Sequence, residues 1–592
     1  FGHGLVVGLG EALAEKNHSL VCYQAKNEQG AGHMAAGYAK QNDRKRIIAV
    51  TSSIGPGALN MVTAAGTATV NHIPVLFLPG DVFASRQPDP VLQQVEDPAD
   101  YTVTANDAFK AVSRYWDRIT RPEQTMTAMI NAMRVLTDPA QMGAVTIALP
   151  QDVQGEAWDF PAEFFEKRVH HLDRRAPSPG QLDRALAMIL AAKRPFVICG
   201  GGVRYSGAGR ELADFCAKFH IPFGETQAGK GSVPWDNPYN LSGIGVTGSQ
   251  ASNRLAKKAD LIIALGTRLG DFTTCSKWLF QEPGAKILGI NVASHDAYKM
   301  DAEPVVADAK LCLAALTAKL GRKGYRSAWG GEIERERGLW KAEVDRLYAS
   351  EIPAPESPGG QGLAQVRALG ELNEILLPKS AVVVSGSGSI PSDMQRTWRV
   401  RVPGTYHMEY GFSCMGYELA ATLGAKLACP DRECVAIVGD GAYAMLHSEL
   451  RTAVQEGKKI IVVVLDNSGF QCIDNLQNSQ GIEHFGNEWK RRDPASGRLS
   501  GASIPVDFAK NAESWGAVGL RAGTVEEFRK AMRRALRIKD RPVVVDAKVA
   551  PKSMSGGYES WWNVGTAQVA ERKEVEAAAQ AVEAERKKAR KY

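Results

Sequence analysis

The stretch CVAIVGDGAYAMLHSEL (434–450) contains, in order, an apolar run, a turn with two glycines and a helical segment. Its apolar run is typical of a strand that is buried on both faces of a parallel sheet, and Asp440 comes at the end of it. Gly439 and Gly441 let backbone N–H groups approach an anion, and the N-terminus of the next helix favours negative charge. Ligands of open α/β sheets bind at such strand ends, although an ordinary turn has the same pattern. The turn therefore indicates, without deciding, a ligand site.

A second strand end supplies a partner for Asp440. The segment IIVVVLDNSGF (460–470) is another unbroken apolar run, and Asp466 and Asn467 follow it. Magnesium takes about six hard oxygen ligands and often shares them with phosphate groups. A carboxylate, an amide oxygen and a backbone carbonyl would complete that shell together with phosphate oxygens and water. Asp440 and Asn467 therefore predict a magnesium–phosphate site.

Short apolar runs bounded by glycine or proline recur along the chain, and helical stretches separate them. These runs are 46–50, 73–80, 144–150, 195–200, 261–266, 381–386, 434–440, 460–467 and 542–549. Such strands are typical of parallel sheets with helices on both faces, so the sequence predicts an α/β fold. The linkers RRAPSPGQ (174–181) and EIPAPESPGGQG (351–362) divide the chain. We predict three parallel-sheet α/β domains and a charged helical tail, with these limits: 1–165, 180–330, 360–550 and 551–592.

The composition limits the classes of function. The chain has 592 residues, 44% of them apolar, and no apolar run approaches the ~20 residues of a membrane span. The net charge is only +6, and the basic stretch ERKKARKY ends the chain, so we expect neither a nucleic-acid nor a membrane partner. Nine cysteines without a CxxC pair argue against a zinc site and favour a cytoplasmic location. The chain begins at Phe1 with a pattern already under way, and we expect residues to precede it.

The two strand ends resemble those of the thiamine diphosphate enzymes of the acetolactate synthase and pyruvate oxidase type. The signature of that family is GDG followed, after a gap of this size, by NN; here Asp466 replaces the first Asn. The resemblance implies a pyrimidine-binding, a central and a diphosphate-binding domain. It also implies that Mg²⁺ is bound by the side chains of Asp440 and Asn467 and by the carbonyl of Gly469.

Three further segments resemble cofactor-binding parts of this family. YQAKNEQGAGHMAAGYAK (23–40) matches its EQGA segment, so Glu28 is the expected glutamate that bonds the pyrimidine ring and activates the cofactor. GFSCMGYELAATLGAKLA (411–428) resembles the segment whose bulky side chain, here Met415, bends the cofactor. SGSGSIPSD (385–393) resembles a second diphosphate loop. The implied thiamine diphosphate-binding residues are Glu28, Ser387, Gly388, Met415, Gly439, Asp440, Gly441, Ala442, Asn467 and Gly469.

In this family different subunits hold the two halves of the cofactor. The resemblance therefore implies a homodimer or homotetramer with active sites at the subunit interface. The central segment CGGGVRYSGAG (199–209) looks like a dinucleotide fingerprint, but it lacks a clean GxGxxG and an acidic residue ~20 positions on. No residue pattern in it requires a flavin.

A finer resemblance, over nearly the whole chain, is to members of the family that hydrolyse a carbon–carbon bond of a hydroxylated cyclic diketone. Its most telling segment is 51–97, which contains the loop RQPDPVLQQ (86–94). The loop follows an apolar run, so it should lie at the carboxyl edge of a sheet, where Arg86 and Gln94 can contact such a small-molecule substrate. His33 is a further candidate, for which packing is the alternative role.

Two other functions stay open. A carboligase or decarboxylase of pyruvate-like 2-keto acids would use the same cofactor, with Arg86 or Lys26 facing the carboxylate of the substrate. A catalytically silent, nucleotide-binding regulatory subunit would not need Glu28. Product analysis and cofactor binding separate these functions from ring hydrolysis.

Overall fold

The computed structural model describes residues 3–353 and 361–592. Within these residues the strands form three large sheets, and each sheet pairs only parallel neighbours. The α/β class predicted from the apolar runs is confirmed. The predicted linker at 351–362 lies mostly outside the described residues.

The first sheet holds the N-terminal quarter of the chain. Its strands are β1 (Ala49–Ser52), β2 (Val75–Asp81), β3 (Tyr115–Arg118) and β4 (Ala144–Pro150). The helices around it are α1 (Val7–Ala14), α2 (Glu28–Gln41), α3 (Pro56–Val70) and α4 (Gln124–Leu136). The strand order is β1-β2-β4-β3, so the most apolar strands, β2 and β4, lie in the middle.

The second sheet forms the centre of the chain. Its strands are β5 (Pro195–Cys199), β6 (Phe223–Glu225), β7 (Asn240–Gly243), β8 (Leu261–Leu265), β9 (Lys286–Asn291) and β10 (Glu303–Val306). Its helices are α5 (Pro179–Ala191), α6 (Gly201–Ser206), α7 (Gly209–Phe219), α8 (Gln250–Lys257), α9 (Asp271–Thr274), α10 (Ser294–Ala297), α11 (Ala309–Gly321) and α12 (Glu332–Tyr348). The strand order is β10-β9-β8-β5-β6-β7.

The third sheet follows a short antiparallel ladder of β11 (Ile352–Pro353) and β12 (Gln361–Gly362). Its strands are β13 (Val382–Ser385), β14 (Tyr406–Met408), β15 (Cys434–Gly439), β16 (Ile461–Asp466), β17 (Val518–Ala522) and β18 (Val543–Lys548). Its helices are α13 (Gln365–Leu376), α14 (Ser389–Thr397), α15 (Tyr417–Ala428), α16 (Asp440–Met445), α17 (Glu449–Gln455), α18 (Gln471–Ser479), α19 (Phe508–Ser514) and α20 (Val525–Arg537). Short 3₁₀ turns lie at Gly4–Val6, Ala105–Ala111, Val153–Gly155, Ala162–Phe165, Lys299–Asp301 and Leu377–Lys379.

The order of the third sheet, β14-β13-β15-β16-β18-β17, creates a crevice. The chain leaves β13 toward β14 on one side and later enters β15 on the other, so the direction of winding reverses between β13 and β15. Open α/β sheets bind ligands at the carboxyl ends of strands beside such a reversal. The loops after β13 and β15 are those that carry Ser387 and Asp440.

The sequence of β15 explains its central place. Val435 and Ile437 belong to one buried cluster, and Ala436 and Val438 belong to another on the opposite face. A strand buried on both faces needs an unbroken apolar run, which is what CVAIVG provides. Asp440 is therefore held at a fixed point on the edge of the sheet.

Helix α2 packs along α15 and joins the first part of the chain to the third. Ala35 and Ala39 of α2 share a buried cluster with Ala421 and Ala425 of α15. Small side chains at this contact let the two helix backbones approach closely. Glu28 is the first residue of α2, so this helix contact also fixes the position of Glu28.

The tail after β18 returns over the central part of the chain and ends in helix α21 (Lys573–Arg586). Trp562 donates a hydrogen bond to Asp271 at 2.6 Å, and Trp278 donates one to Glu585 of α21 at 2.8 Å. Among the helices of the described residues, none is both long and apolar enough to cross a bilayer.

Candidate active site

The predicted metal ligands lie at two neighbouring strand ends. Strands β15 and β16 pair directly, with Gly439 opposite Leu465, so Asp440 and Asn467 follow adjacent strands. Asp440 is 1% exposed and Asn467 is 7% exposed. The sheet thus places a carboxylate and an amide in one buried corner.

Three donors fix the carboxylate of Asp440. Its Oδ1 accepts the backbone N–H of Gly441 at 2.9 Å. Its Oδ2 accepts the backbone N–H of Gly469 at 2.8 Å and the indole N–H of Trp489 at 2.8 Å. Burial raises the pKa of Asp440 to about 7, and the neighbouring Asp466 carboxylate adds to the shift. A cation bound here would favour the charged form, which is the behaviour expected of a metal ligand.

Asn467 supplies the observation that tests whether a metal fits. Its side-chain Oδ1 is buried and has no hydrogen-bond partner among residues 3–353 and 361–592. Such an acceptor is costly unless something binds it. The preceding Asp466 is already engaged, because it accepts from the backbone of Ser468 at 2.9 Å and pairs with Lys548. Asn467, not Asp466, is therefore the available oxygen beside Asp440.

The set of ligands suits Mg²⁺ only when phosphate completes it. In the part of the chain that the structure describes, no group of three or more His, Cys, Asp and Glu side chains could hold a metal. The corner offers the carboxylate of Asp440, the amide oxygen of Asn467 and the backbone of Gly469, whose N–H is bonded to Asp440. Magnesium commonly takes its remaining oxygens from a bound phosphate, so these residues fit a magnesium–diphosphate pair.

The loop after β13 faces the same crevice. Gly388 is exposed, has φ of 87° and is the N-cap of α14, a helix of nine residues. Ser387 is buried, and both its backbone N–H and its hydroxyl donate to Glu418, at 3.1 and 3.4 Å. A helix N-terminus with an open glycine beside it is a favourable place for an anion such as a diphosphate.

The turn after β15 is tightly packed. A Cβ on Gly441 would lie 2.4 Å from the ring of Phe470, so only glycine fits there. Ala442 is 3% exposed in the first turn of α16. Gly439, in contrast, has open space where its Cβ would be, which leaves room for a ligand at the strand end. Met415 is half-buried and packs on the cluster that contains Ala442.

Glu28 lies elsewhere in the chain. It is half-buried at the start of α2, where it accepts a hydrogen bond from Asn60 at 3.1 Å. The preceding backbone N–H groups of Lys26 and Asn27 donate to Glu449, at 3.0 and 2.9 Å. Within the described residues, no hydrogen bond or ion pair joins Glu28 to Asp440 or Asn467. The chain therefore brings the predicted metal ligands together, and Glu28 makes no direct contact with them.

The three predicted substrate residues have different surroundings. Arg86 is exposed in the 82–104 loop, and the side chain of Gln94 accepts the N–H of Val91 at 3.1 Å, which closes a local turn. His33 is fully buried and lies 3.1 Å from the Gln29 amide nitrogen. Burial lowers the pKa of His33 to about 3, so its ring is neutral near pH 7.

Sequence reasoning missed three residues that shape this site. Trp489 bonds Asp440, Glu418 bonds the Ser387 loop, and Glu449 holds the segment before Glu28. Each contact joins residues that are separated by tens to hundreds of positions, so no local pattern predicts it. Glu418 and Glu449 stood inside quoted motifs, but a motif does not show which backbone a side chain faces.

Comparison with known proteins identifies the family. Residues 4–101 match the N-terminal TPP binding domain of thiamine pyrophosphate enzymes, residues 182–316 their central domain and residues 386–547 their C-terminal TPP binding domain. The chain belongs to the thiamine pyrophosphate enzyme family, as the resemblance in its sequence predicts.

The similarity to individual members extends over the full chain. The 3D-(3,5/4)-trihydroxycyclohexane-1,2-dione hydrolases of Bacillus anthracis and Clostridium tetani are each 51% identical to it. An enzyme of Bacillus cereus named 3D-(3,5/4)-trihydroxycyclohexane-1,2-dione hydrolase 2 is 52% identical. Each alignment covers 100% of this chain and 94% of the relative.

Proposed function

We propose that this protein is a thiamine diphosphate-dependent hydrolase that opens the ring of 3D-(3,5/4)-trihydroxycyclohexane-1,2-dione. The bond hydrolysed joins the two carbonyl carbons, and the product is 5-deoxy-glucuronic acid, an open-chain acid of myo-inositol catabolism. The observation that carries the proposal is the 51% identity to hydrolases of this name over the whole chain. The orphan oxygen of Asn467 beside Asp440 supports the cofactor assignment independently.

Thiamine diphosphate, when bound, supplies an electron sink for breaking a bond next to a carbonyl. In this proposal Asp440, Asn467 and Gly469 hold Mg²⁺, which neutralises the diphosphate. Ser387 and Gly388 present the N-terminus of α14 to the same anion. These residues bind and orient the cofactor, and the cofactor provides the electron sink for the reaction.

The remaining residues of the proposed site hold the rest of the cofactor. Met415 supports its bent form, and the turn of Gly439, Gly441 and Ala442 follows the diphosphate. Glu28 keeps a proton at the pyrimidine ring. As the family resemblance implies, we place it at the cofactor of a second copy, in a homodimer or homotetramer.

The substrate is a small hydroxylated diketone without charge, and it needs donors and acceptors more than a counter-ion. The polar loop of Arg86 and Gln94 follows β2 at the carboxyl edge of the first sheet, near the start of α3. Ser53 donates to the neighbouring Gln93 at 3.1 Å, which holds this loop against that edge. We assign substrate contact to this loop and a cytoplasmic location to the enzyme.

The test is product analysis with purified protein, Mg²⁺ and thiamine diphosphate. The cyclic dione should give the open-chain acid, and Glu28→Gln and Asp440→Ala should abolish its formation. Acetolactate formed from pyruvate, with no ring opening, would replace this proposal by a carboligase. Failure of the wild type to bind thiamine diphosphate in calorimetry would favour the regulatory subunit.

A further inference from the structure

Glu418 is a buried carboxylate to which no step of the proposed chemistry assigns a role. It is the second residue of α15, and its side chain has no exposed surface. Burial raises its pKa to about 7. Among the ion pairs of the described residues, none includes Glu418. Its charged form is therefore stabilised by hydrogen bonds and not by a neighbouring cation.

The two carboxylate oxygens of Glu418 serve two different loops. Oε1 accepts the backbone N–H of Ser387 at 3.1 Å, in the loop after β13. Oε2 accepts the backbone N–H of Gly416 at 3.0 Å, in the loop that carries Met415. One side chain thus joins the loop proposed for the diphosphate to the loop proposed to bend the cofactor.

Gly386 shows how closely the two loops meet at this carboxylate. A Cβ on Gly386 would lie 3.0 Å from Oε1 of Glu418 and 3.4 Å from the carbonyl oxygen of Cys414. The glycine therefore leaves just enough space for the carboxylate between the loops. A methyl group there would push on Glu418 or separate the loops.

We infer that Glu418 is a positioning residue that sets the distance between the Ser387 loop and the Met415 loop before the cofactor binds. This inference rests on the proposed function, because it takes thiamine diphosphate as the ligand of both loops. Because Glu418 has no exposed surface, we assign it no direct contact with the cofactor. It acts through the two backbone N–H groups, which charge-assisted bonds hold more firmly than neutral ones would.

The chemistry of the side chain gives a sharp test. Glutamine has the same size as glutamate, but its amide has one accepting oxygen and one NH₂ donor. Glu418→Gln must therefore lose the bond to Ser387 or the bond to Gly416, since an NH₂ group would face an N–H. A residue that only fills space would tolerate this change.

The experiment measures binding and local protection. In calorimetry with saturating Mg²⁺, Glu418→Gln should raise the Kd for thiamine diphosphate about tenfold, as the loss of one hydrogen bond to a charged group predicts. Hydrogen exchange of the cofactor-free protein should be faster in peptides that cover 381–390 or 409–418. Gly386→Ala should also raise the Kd and speed the exchange, although residue 418 remains glutamate in this variant.

Glu371→Gln is the matched control. Glu371 is another buried glutamate of the third part of the chain, but it pairs with Arg529 at 2.7 Å and joins α13 to α20. Its replacement should lower the free energy of unfolding and leave both the Kd and the exchange of the two peptides unchanged. The comparison separates a local effect on the loops from general destabilisation.

Two results would overturn the inference. The first is a Kd within twofold of wild type for both Glu418→Gln and Gly386→Ala, and the second is unchanged exchange of both peptides. A wild type that binds thiamine diphosphate tightly and fails to open the dione would overturn the proposed function instead. In that case the Kd and hydrogen-exchange measurements on the Glu418→Gln and Gly386→Ala variants still show whether Glu418 positions the two loops.

Discussion

The indole N–H of Trp489 donates to the same oxygen of Asp440 that accepts the backbone N–H of Gly469. Trp489 also packs its ring edge-on against Phe470, with 5.0 Å between the ring centres. The carboxylate is thus oriented by two N–H donors, which are not metal ligands themselves, although the carbonyl of Gly469 is a proposed ligand. Partners of this kind are typically worth 10–100-fold in metal affinity or activity.

Trp489→Phe should raise the Kd for Mg²⁺ about tenfold in the presence of thiamine diphosphate, because it removes the orienting bond and keeps an aromatic ring. Titration calorimetry measures this Kd. Trp562→Phe is the matched control, since it removes an indole–carboxylate bond to Asp271 in the central part of the chain. Equal Kd values for Trp489→Phe and wild type would show that the bond has no part in metal binding.

Asn467→Leu should separate stability from function. The buried Oδ1 of Asn467 has no partner among the described residues, and an unmet acceptor costs about 1–3 kcal/mol. The cofactor-free variant should therefore be at least as stable as wild type in urea unfolding, while Mg²⁺-dependent binding of thiamine diphosphate is lost. A large loss of stability without ligand would mean that the oxygen is needed for folding.

Asn373→Leu is the contrasting variant. Asn373 is also buried in the third part of the chain, but both its polar atoms bond the backbone of Arg399, at 3.0 and 3.1 Å. Its replacement leaves those backbone groups unpaired, so it should destabilise the protein by about 1–3 kcal/mol and leave cofactor binding intact.

The interior strands of the first and third sheets were accessible from the sequence, because a strand buried on both faces needs an unbroken apolar run. In the second sheet this holds for β5 and β8, whereas the interior strands β6 and β9 overlap none of the named runs. Each apolar run named from the sequence overlaps a strand, and the runs at 434–440 and 460–467 end at Asp440 and Asn467. Among the edge strands of the described residues, β1 overlaps the run at 46–50, but β10 and β14 overlap no named run. β10 (EPVV) and β14 (YHM) lie at sheet edges, are short, and carry polar residues.

The candidate site was predictable only in part, for a different reason. Turn glycines and strand-end polar residues are local, so the sequence could predict that Asp440, Asn467 and Gly469 lie together. The donors that orient it are not local: Trp489 lies in an irregular segment forty-nine positions after Asp440. Spacing along the chain carries no information about such a contact until the fold is known.

His33 predicts a pH dependence of stability. Burial lowers its pKa from 6.5 to about 3, so below pH 6.5 the unfolded chain binds a proton that the folded chain does not. Stability is therefore lost as the pH falls through this window. Between pH 7 and pH 5, wild type should lose about 2 kcal/mol more than His33→Gln.

Urea unfolding of the cofactor-free protein at both pH values measures this difference. His170→Gln is the control, because His170 is exposed and its replacement should leave the pH dependence of wild type unchanged. A pH dependence of His33→Gln equal to that of wild type would mean that His33 is not buried in its neutral form.

The proposed sharing of each active site between two chains predicts that subunits complement each other. Glu28→Gln and Asp440→Ala should each be inactive. In a heterodimer of the two, one active site carries both changes and the other carries neither. Random exchange makes half of the dimers mixed, so activity should recover to about a quarter of wild type.

A matched mixture shows whether this recovery has the proposed cause. Asp440→Ala and Asn467→Leu both damage the metal side, so each site of their heterodimer keeps one defect and the mixture should stay inactive. Native mass spectrometry on differently tagged chains confirms that exchange has occurred. If exchanged Glu28→Gln and Asp440→Ala heterodimers are also inactive, each site is built from one chain, and Glu28 must reach Asp440 by a rearrangement within the subunit.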